Sequence, residues 1–172
     1  MPRKYFEKFP LDEIILPKVL EEDLNDLPPF GKKLAKEIYQ VSSGKNFNGT
    51  GISEHKLIVE NNQWRKGIQA YLATINFADK YLGKFLDALD KSKYADNTIV
   101  VLWSDHGFHL GEKRTFSKFS LWEEATRTPF IILDPRKKEG QGKACVETVG
   151  FKDAEQNVFS PSIVCRECRH QF

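Results

Sequence analysis

At 172 residues, with 40% hydrophobic, 12% aromatic and 29% charged side chains, the chain has the makeup of a folded globular protein with enough apolar material for one core. Its 26 basic and 24 acidic residues are interspersed and leave a net charge of +2, which excludes the one-sided basic footprint of a nucleic-acid binder. No run approaches the roughly 18 apolar residues of a membrane-spanning helix, and Met1-Pro2-Arg3-Lys4-Tyr5-Phe6-Glu7 lacks the apolar stretch of a secretory signal, so no compartment is assigned.

Residues 1–30 read as a connector, because Pro2, Pro10, Pro17, Pro28 and Pro29 forbid a long helix. The acidic stretch Glu21-Glu22-Asp23-Leu24-Asn25-Asp26-Leu27 suits a turn or two. A short helix is predicted over 31–41, and a loop over 44–53, where Gly44, Gly49 and Gly51 stand among Asn, Ser and Thr. The strongest helix is predicted over 62–91. There Ile68, Tyr71, Leu72, Ile75, Ala78, Leu82, Phe85, Leu86 and Leu89 recur at three- and four-residue spacing. Tyr94-Ala95-Asp96-Asn97 is a turn. The β-branched run Thr98-Ile99-Val100-Val101-Leu102-Trp103 then reads as a strand covered on both faces, as at the centre of an α/β sheet. Phe130-Ile131-Ile132-Leu133 is a second strand.

Ser104-Asp105-His106-Gly107-Phe108-His109-Leu110-Gly111-Glu112-Lys113 follows the first strand directly. Ligands of open α/β sheets bind beyond the carboxyl ends of strands. Asp105 and His106 there are candidate metal ligands, with Gly107 permitting a sharp turn; a purely structural Asp-His-Gly turn is the competing reading. Three cysteines cannot complete a disulfide framework. Cys165-x-x-Cys168 with His170 has the look of half a zinc site, but Cys145 is distant and the spacing is common by chance.

The segment from Thr98 to Gly107 resembles the second metal-binding segment of the sulfatases, within the alkaline-phosphatase-like superfamily. Its continuation through Leu110-Gly111-Glu112-Lys113, Phe116-Ser117-Lys118 and Leu121-Trp122-Glu123-Glu124-Ala125-Thr126-Arg127-Thr128-Pro129 is similar to the iduronate-sulfatase-like branch. So are the opening Lys4-Tyr5-Phe6 to Leu16-Pro17 and the helix from Tyr71 to Leu89. The resemblance covers residues 2–150 and is densest over 98–130.

The resemblance implies an α/β fold: part of an alkaline-phosphatase-like sandwich, with a mostly parallel sheet flanked by helices. It divides the chain into a connector (1–30), the C-terminal portion of a sulfatase catalytic domain (31–150) and an atypical tail (151–172). It implies hydrolysis of a sulfuric ester of a small molecule or glycan, with formylglycine as nucleophile and a divalent cation, usually calcium, on the sulfate oxygens. Asp105 and His106 would bind the metal. Carboxylate oxygen suits calcium, whereas imidazole suits zinc and its neighbours better. Lys118 would contact the sulfate or leaving-group oxygen as a point charge; without the resemblance it reads as a surface lysine. His109 is the secondary catalytic candidate, lining the substrate pocket or packing beneath the loop.

No C/S-x-P-x-R segment, the source of formylglycine, occurs in residues 1–172. The expectation is therefore a chain that holds part of a sulfatase site and is inactive by itself. The alternative is a non-catalytic relative that binds a sulfated ligand or a partner.

Overall fold

The computed structural model describes residues 1–36, 54–137 and 142–144. The expected loop 44–53, the tail 151–172, and Cys145, Cys165, Cys168 and His170 lie outside the described residues. In chain order the elements are α1 (Pro29–Lys36), α2 (Glu54–Glu60), α3 (Trp64–Asp90), β1 (Val100–Trp103), β2 (His109–Leu110), β3 (Phe116–Ser117), α4 (Glu123–Thr126) and β4 (Phe130–Leu133). Short 3-10 turns form at Arg3–Tyr5, Ala95–Asn97 and Glu112–Arg114. The described residues divide into two compact units, 1–36 and 54–87 with 103–129, and 88–102 with 130–137 and 142–144.

Helix α3 matches the predicted 62–91 closely, but its buried face differs from the predicted stripe. Ile68 and Ala73 are buried, whereas Ile75 and Phe85 are 50% and 59% exposed. The reason is the segment that covers it. Residues 1–17 are held by Arg65, Gln69 and Phe77, side chains at four- and eight-residue spacing that lie along one line of α3. Arg65 donates to the carbonyl of Ile14. Gln69 Nε2 donates to the Phe9 carbonyl at 2.7 Å and the Phe6 carbonyl at 3.4 Å. Phe77 meets the ring of Tyr5 edge-on, with centroids 5.1 Å apart. Tyr5 and Ile14 are buried there. The Pro-rich segment has no ladder of its own, and polar side chains of α3 satisfy its carbonyls instead.

Helix α1 starts at Pro29, where a missing N–H costs nothing, rather than at the predicted residue 31. Helix α2 was not expected, since His55, Ile58 and Val59 give it weak helix propensity. Its His55 ring lies 5.5 Å from that of Trp64 and 5.7 Å from that of Phe116, so packing rather than propensity accounts for it.

The strand predicted over 98–103 forms over Val100–Trp103 and hydrogen-bonds to β4. Full burial on both faces is not found: Leu102 and Trp103 are exposed, as are Ile131, Ile132 and Leu133 of β4. Among the described residues β4 is the only strand beside β1, and a two-stranded sheet has too few neighbours to cover such strands. The other sheet is the antiparallel β2–β3 hairpin, with His109 opposite Ser117 and Leu110 opposite Phe116. The described residues therefore contain helices and two small sheets, and a larger parallel sheet is not among them. No described helix is long and apolar enough to cross a membrane.

The hairpin is seated on the start of α3. Trp64 Nε1 donates to the Leu110 carbonyl at 2.6 Å. Gly111 has φ +125°, and a Cβ there would run into the Trp64 indole, 2.7 Å from Cε2. Glycine is required at this position both by its φ and by the close approach of the ring. Trp64→Phe keeps the packing but leaves the Leu110 carbonyl without its donor. It should lower stability by about 1–2 kcal/mol, read as a lower urea midpoint at unchanged m-value.

Candidate functional site

The segment between β1 and β4 carries every candidate residue, and backbone hydrogen bonds fix both of its ends. Ser104 N–H donates to the Pro129 carbonyl at 3.3 Å, and Gly107 N–H to the Ala125 carbonyl at 2.8 Å. A Cβ on Gly107 would collide with the Glu124 carbonyl and lie 3.1 Å from that of Arg127. Gly107 is thus the point where the Asp-His-Gly turn touches α4. The turn is closed further by Ser104 Oγ, which donates to the His106 carbonyl at 2.8 Å.

This geometry sets the proton of His106. Its Nδ1 lies 2.8 Å from the Gly107 carbonyl, which can only accept, so Nδ1 carries the hydrogen. Nε2 then presents a lone pair, and Lys118 Nζ donates to it at 2.7 Å. Asp105 Oδ2 lies 3.5 Å from the same Nε2. A carboxylate and an imidazole lone pair this close both seek a cation. The Lys118 ammonium meets that need at Nε2, and a metal ion held between the two acceptors would meet it as well.

Asp105, with its side chain 80% exposed, is open to solvent, and Lys118 is exposed beside it. The predicted trio Asp105, His106 and Lys118 is therefore brought together. As a metal site the donors fit half a shell: among the described residues no group of three or more His, Cys, Asp or Glu side chains could hold an ion.

His109 is fully buried, beneath the loop rather than at its solvent face. Its Nε2 lies 2.6 Å from Ser120 Oγ, and its ring meets that of Trp122 edge-on at 5.6 Å. Nδ1 is 3.9 Å from Glu124 Oε2 and has no hydrogen-bond partner among the described residues. Burial pushes its pKa below the ordinary histidine value, against the opposing pull of Glu124 and Glu112. Ser120, Glu124 and Trp64 could not be read from the sequence as supports of this loop. Their partners lie 11 and 46 residues away for Ser120 and Trp64, beyond any local pattern.

Residues 28–158 match the family model described as Sulfatase. The chain is 43% identical over 141 residues to a sulfatase of Formosa agariphila, which covers 82% of this chain and 25% of that protein. It is 31% identical over 134 residues to the iduronate 2-sulfatase of Homo sapiens, covering 78% of this chain and 24% of the relative. An N-acetylglucosamine-6-O-sulfatase of Bacteroides thetaiotaomicron is 40% identical over 74 residues, 43% of this chain and 13% of that protein. The chain spans about a quarter of the length of the first two relatives. With a matching family model over most of its length, the chain belongs to the sulfatase family.

Proposed function

We propose that this chain contributes Asp105, His106 and Lys118 to a sulfatase site that hydrolyses sulfuric esters of sugars or other small molecules. The observation that carries the reading is the convergence of Asp105 Oδ2 and Lys118 Nζ on the one free lone pair of His106, 3.5 and 2.7 Å from Nε2. Asp105 and His106 would hold a divalent cation, with calcium favoured by the carboxylate. Such an ion would supply positive charge to the sulfate oxygens. Lys118 and such an ion draw on the same lone pair. The Lys118 ammonium beside His106 would face a sulfate or leaving-group oxygen, where a fixed charge acts on developing negative charge. The names of the sugar-directed relatives support a glycan substrate.

The family's formylglycine supplies the nucleophile that attacks sulfur; residues 1–172 contain no C/S-x-P-x-R segment to form it. We expect the chain alone to show no arylsulfatase turnover and the sheet to continue in the family's parallel manner when the rest of the domain is present.

Calcium should raise the melting temperature of the chain, since a ligand that binds only the folded state stabilises it, by about 1.4 kcal/mol at tenfold excess over Kd. Asp105→Ala should abolish that rise. An equal rise in the variant removes Asp105 from the metal site.

A further inference from the structure

Three non-glycine residues in the stretch that carries Lys118 have left-handed backbone: Lys113 at φ +51°, Arg114 at +54° and Ser117 at +77°. Such conformations persist only where the surroundings hold them in place. The β2–β3 ladder cannot do this alone, because each strand has two residues. A slip of one residue would turn Ser117 and the adjacent Lys118 to the opposite face.

What meets the turn is the acidic stretch far upstream. Lys113 Nζ donates to Asp23 Oδ1 at 2.8 Å and to the Asp23 carbonyl at 3.0 Å, across 90 residues of sequence. Asp26 Oδ1 lies 3.9 Å away, and the Lys113 and Asp23 side chains are only 26% and 17% exposed. Arg114 adds a hydrogen bond to the Glu21 carbonyl. The Asp23 hydrogen bond also holds the Lys113 ammonium above the usual lysine pKa. Consecutive turn residues are therefore tied to one segment, while Trp64 fixes the hairpin from its other strand through Leu110.

We infer that Lys113, through its ion pair with Asp23, is a positioning residue: the stretch 21–26 clamps the hairpin tip and thereby sets where the Lys118 ammonium sits against His106. The inference rests on the reading of Lys118 as a sulfate-facing cation. It assigns the connector a part in building the site, and it makes the charge pattern at 21–26 a determinant of anion affinity.

The test uses the full 172-residue chain and two readouts. One is the nuclear Overhauser contact between the Lys118 ε-methylene and the His106 ring Hε1; the other is affinity for inorganic sulfate. Lys113→Gly removes the ammonium while suiting the positive φ, so the fold is spared. It should lose the contact and weaken sulfate binding roughly tenfold, within the usual range for coupling between a remote group and a binding site. Asp23→Asn should act in the same direction, Lys113→Arg should retain both signals, and Lys113→Asp with Asp23→Lys should recover the contact. A Lys113→Gly protein that keeps the contact and binds sulfate within about twofold of the parent overturns the clamp. If Lys113→Gly unfolds, the exchanged pair decides, and failure to recover the contact overturns it equally. A parent chain with the contact but no sulfate binding counts against the sulfatase reading alone, and the contact still judges the clamp.

Discussion

Gly107→Ala should unfold the loop that carries the site and lower stability by at least about 3 kcal/mol. The added methyl would overlap the Glu124 carbonyl and press on that of Arg127. Backbone atoms of α4 cannot swing aside as a long side chain can. Relief requires moving the Asp-His-Gly turn away from α4, which breaks the Gly107 N–H bond to the Ala125 carbonyl. Against a typical total of about 5–15 kcal/mol for a domain, such a loss is a large fraction. Urea unfolding should show the lower midpoint, and the calcium-dependent rise in melting temperature should vanish. A variant within about 0.5 kcal/mol of the parent, the range of an ordinary surface change, would mean the turn does not touch α4 in this way.

The second large effect is a loss of stability in mild acid. His109 and His55 are both held below the ordinary histidine pKa, each chiefly by burial; Arg114 lowers His55 further, and Glu124 and Glu112 partly oppose the shift at His109. Both are therefore neutral in the folded protein at pH values where the unfolded chain takes up protons. Above the unfolded value of 6.5 neither state gains a proton and stability is flat in pH. As pH falls below it, unfolding binds up to one proton per histidine, and stability drops by about 1.4 kcal/mol per pH unit for each. The fall ends where the folded protein itself protonates. Glu54, raised by burial, works in the opposite sense nearer 4.5, below most of this window. Urea unfolding between pH 7.5 and 5 should record the slope, and His109→Gln should reduce it by roughly half. An unchanged slope in that variant would show that His109 is not the buried neutral group described.

Much of this was legible in the sequence for physical reasons that can be named. The helix α3 follows from its apolar periodicity, β1 and β4 from their β-branched runs, and the Asp105–His106–Gly107 turn from its position after a strand. Lys118 became readable only through resemblance, since its partner His106 lies 12 residues away across a hairpin of two-residue strands. Strands that short leave no alternation to detect. The face of α3 was misjudged because what meets it is a chain segment whose carbonyls call for donors, which Arg65 and Gln69, outside the apolar stripe, supply. The burial of β1 was misjudged because a continuous apolar run reports how many neighbours a strand is suited to, whereas exposure reports how many it has. The Lys113–Asp23 pair left no trace at all, because side-chain complementarity over 90 residues has no local signature.

A chimera would show whether Asp105, His106 and Lys118 belong to a working site. In it, the matching 141 residues of the Formosa agariphila sulfatase are replaced by those of this chain, and hydrolysis of a fluorogenic sulfate ester is measured. The chimera should turn over the ester, and Lys118→Ala should reduce turnover by on the order of a hundredfold, the effect of removing one preorganised charge from developing negative charge. A folded chimera without turnover, or with turnover indifferent to Lys118→Ala, would contradict the assignment of Asp105, His106 and Lys118 to a working sulfatase site. The first of those outcomes would point instead to a relative that binds sulfated ligands without hydrolysing them.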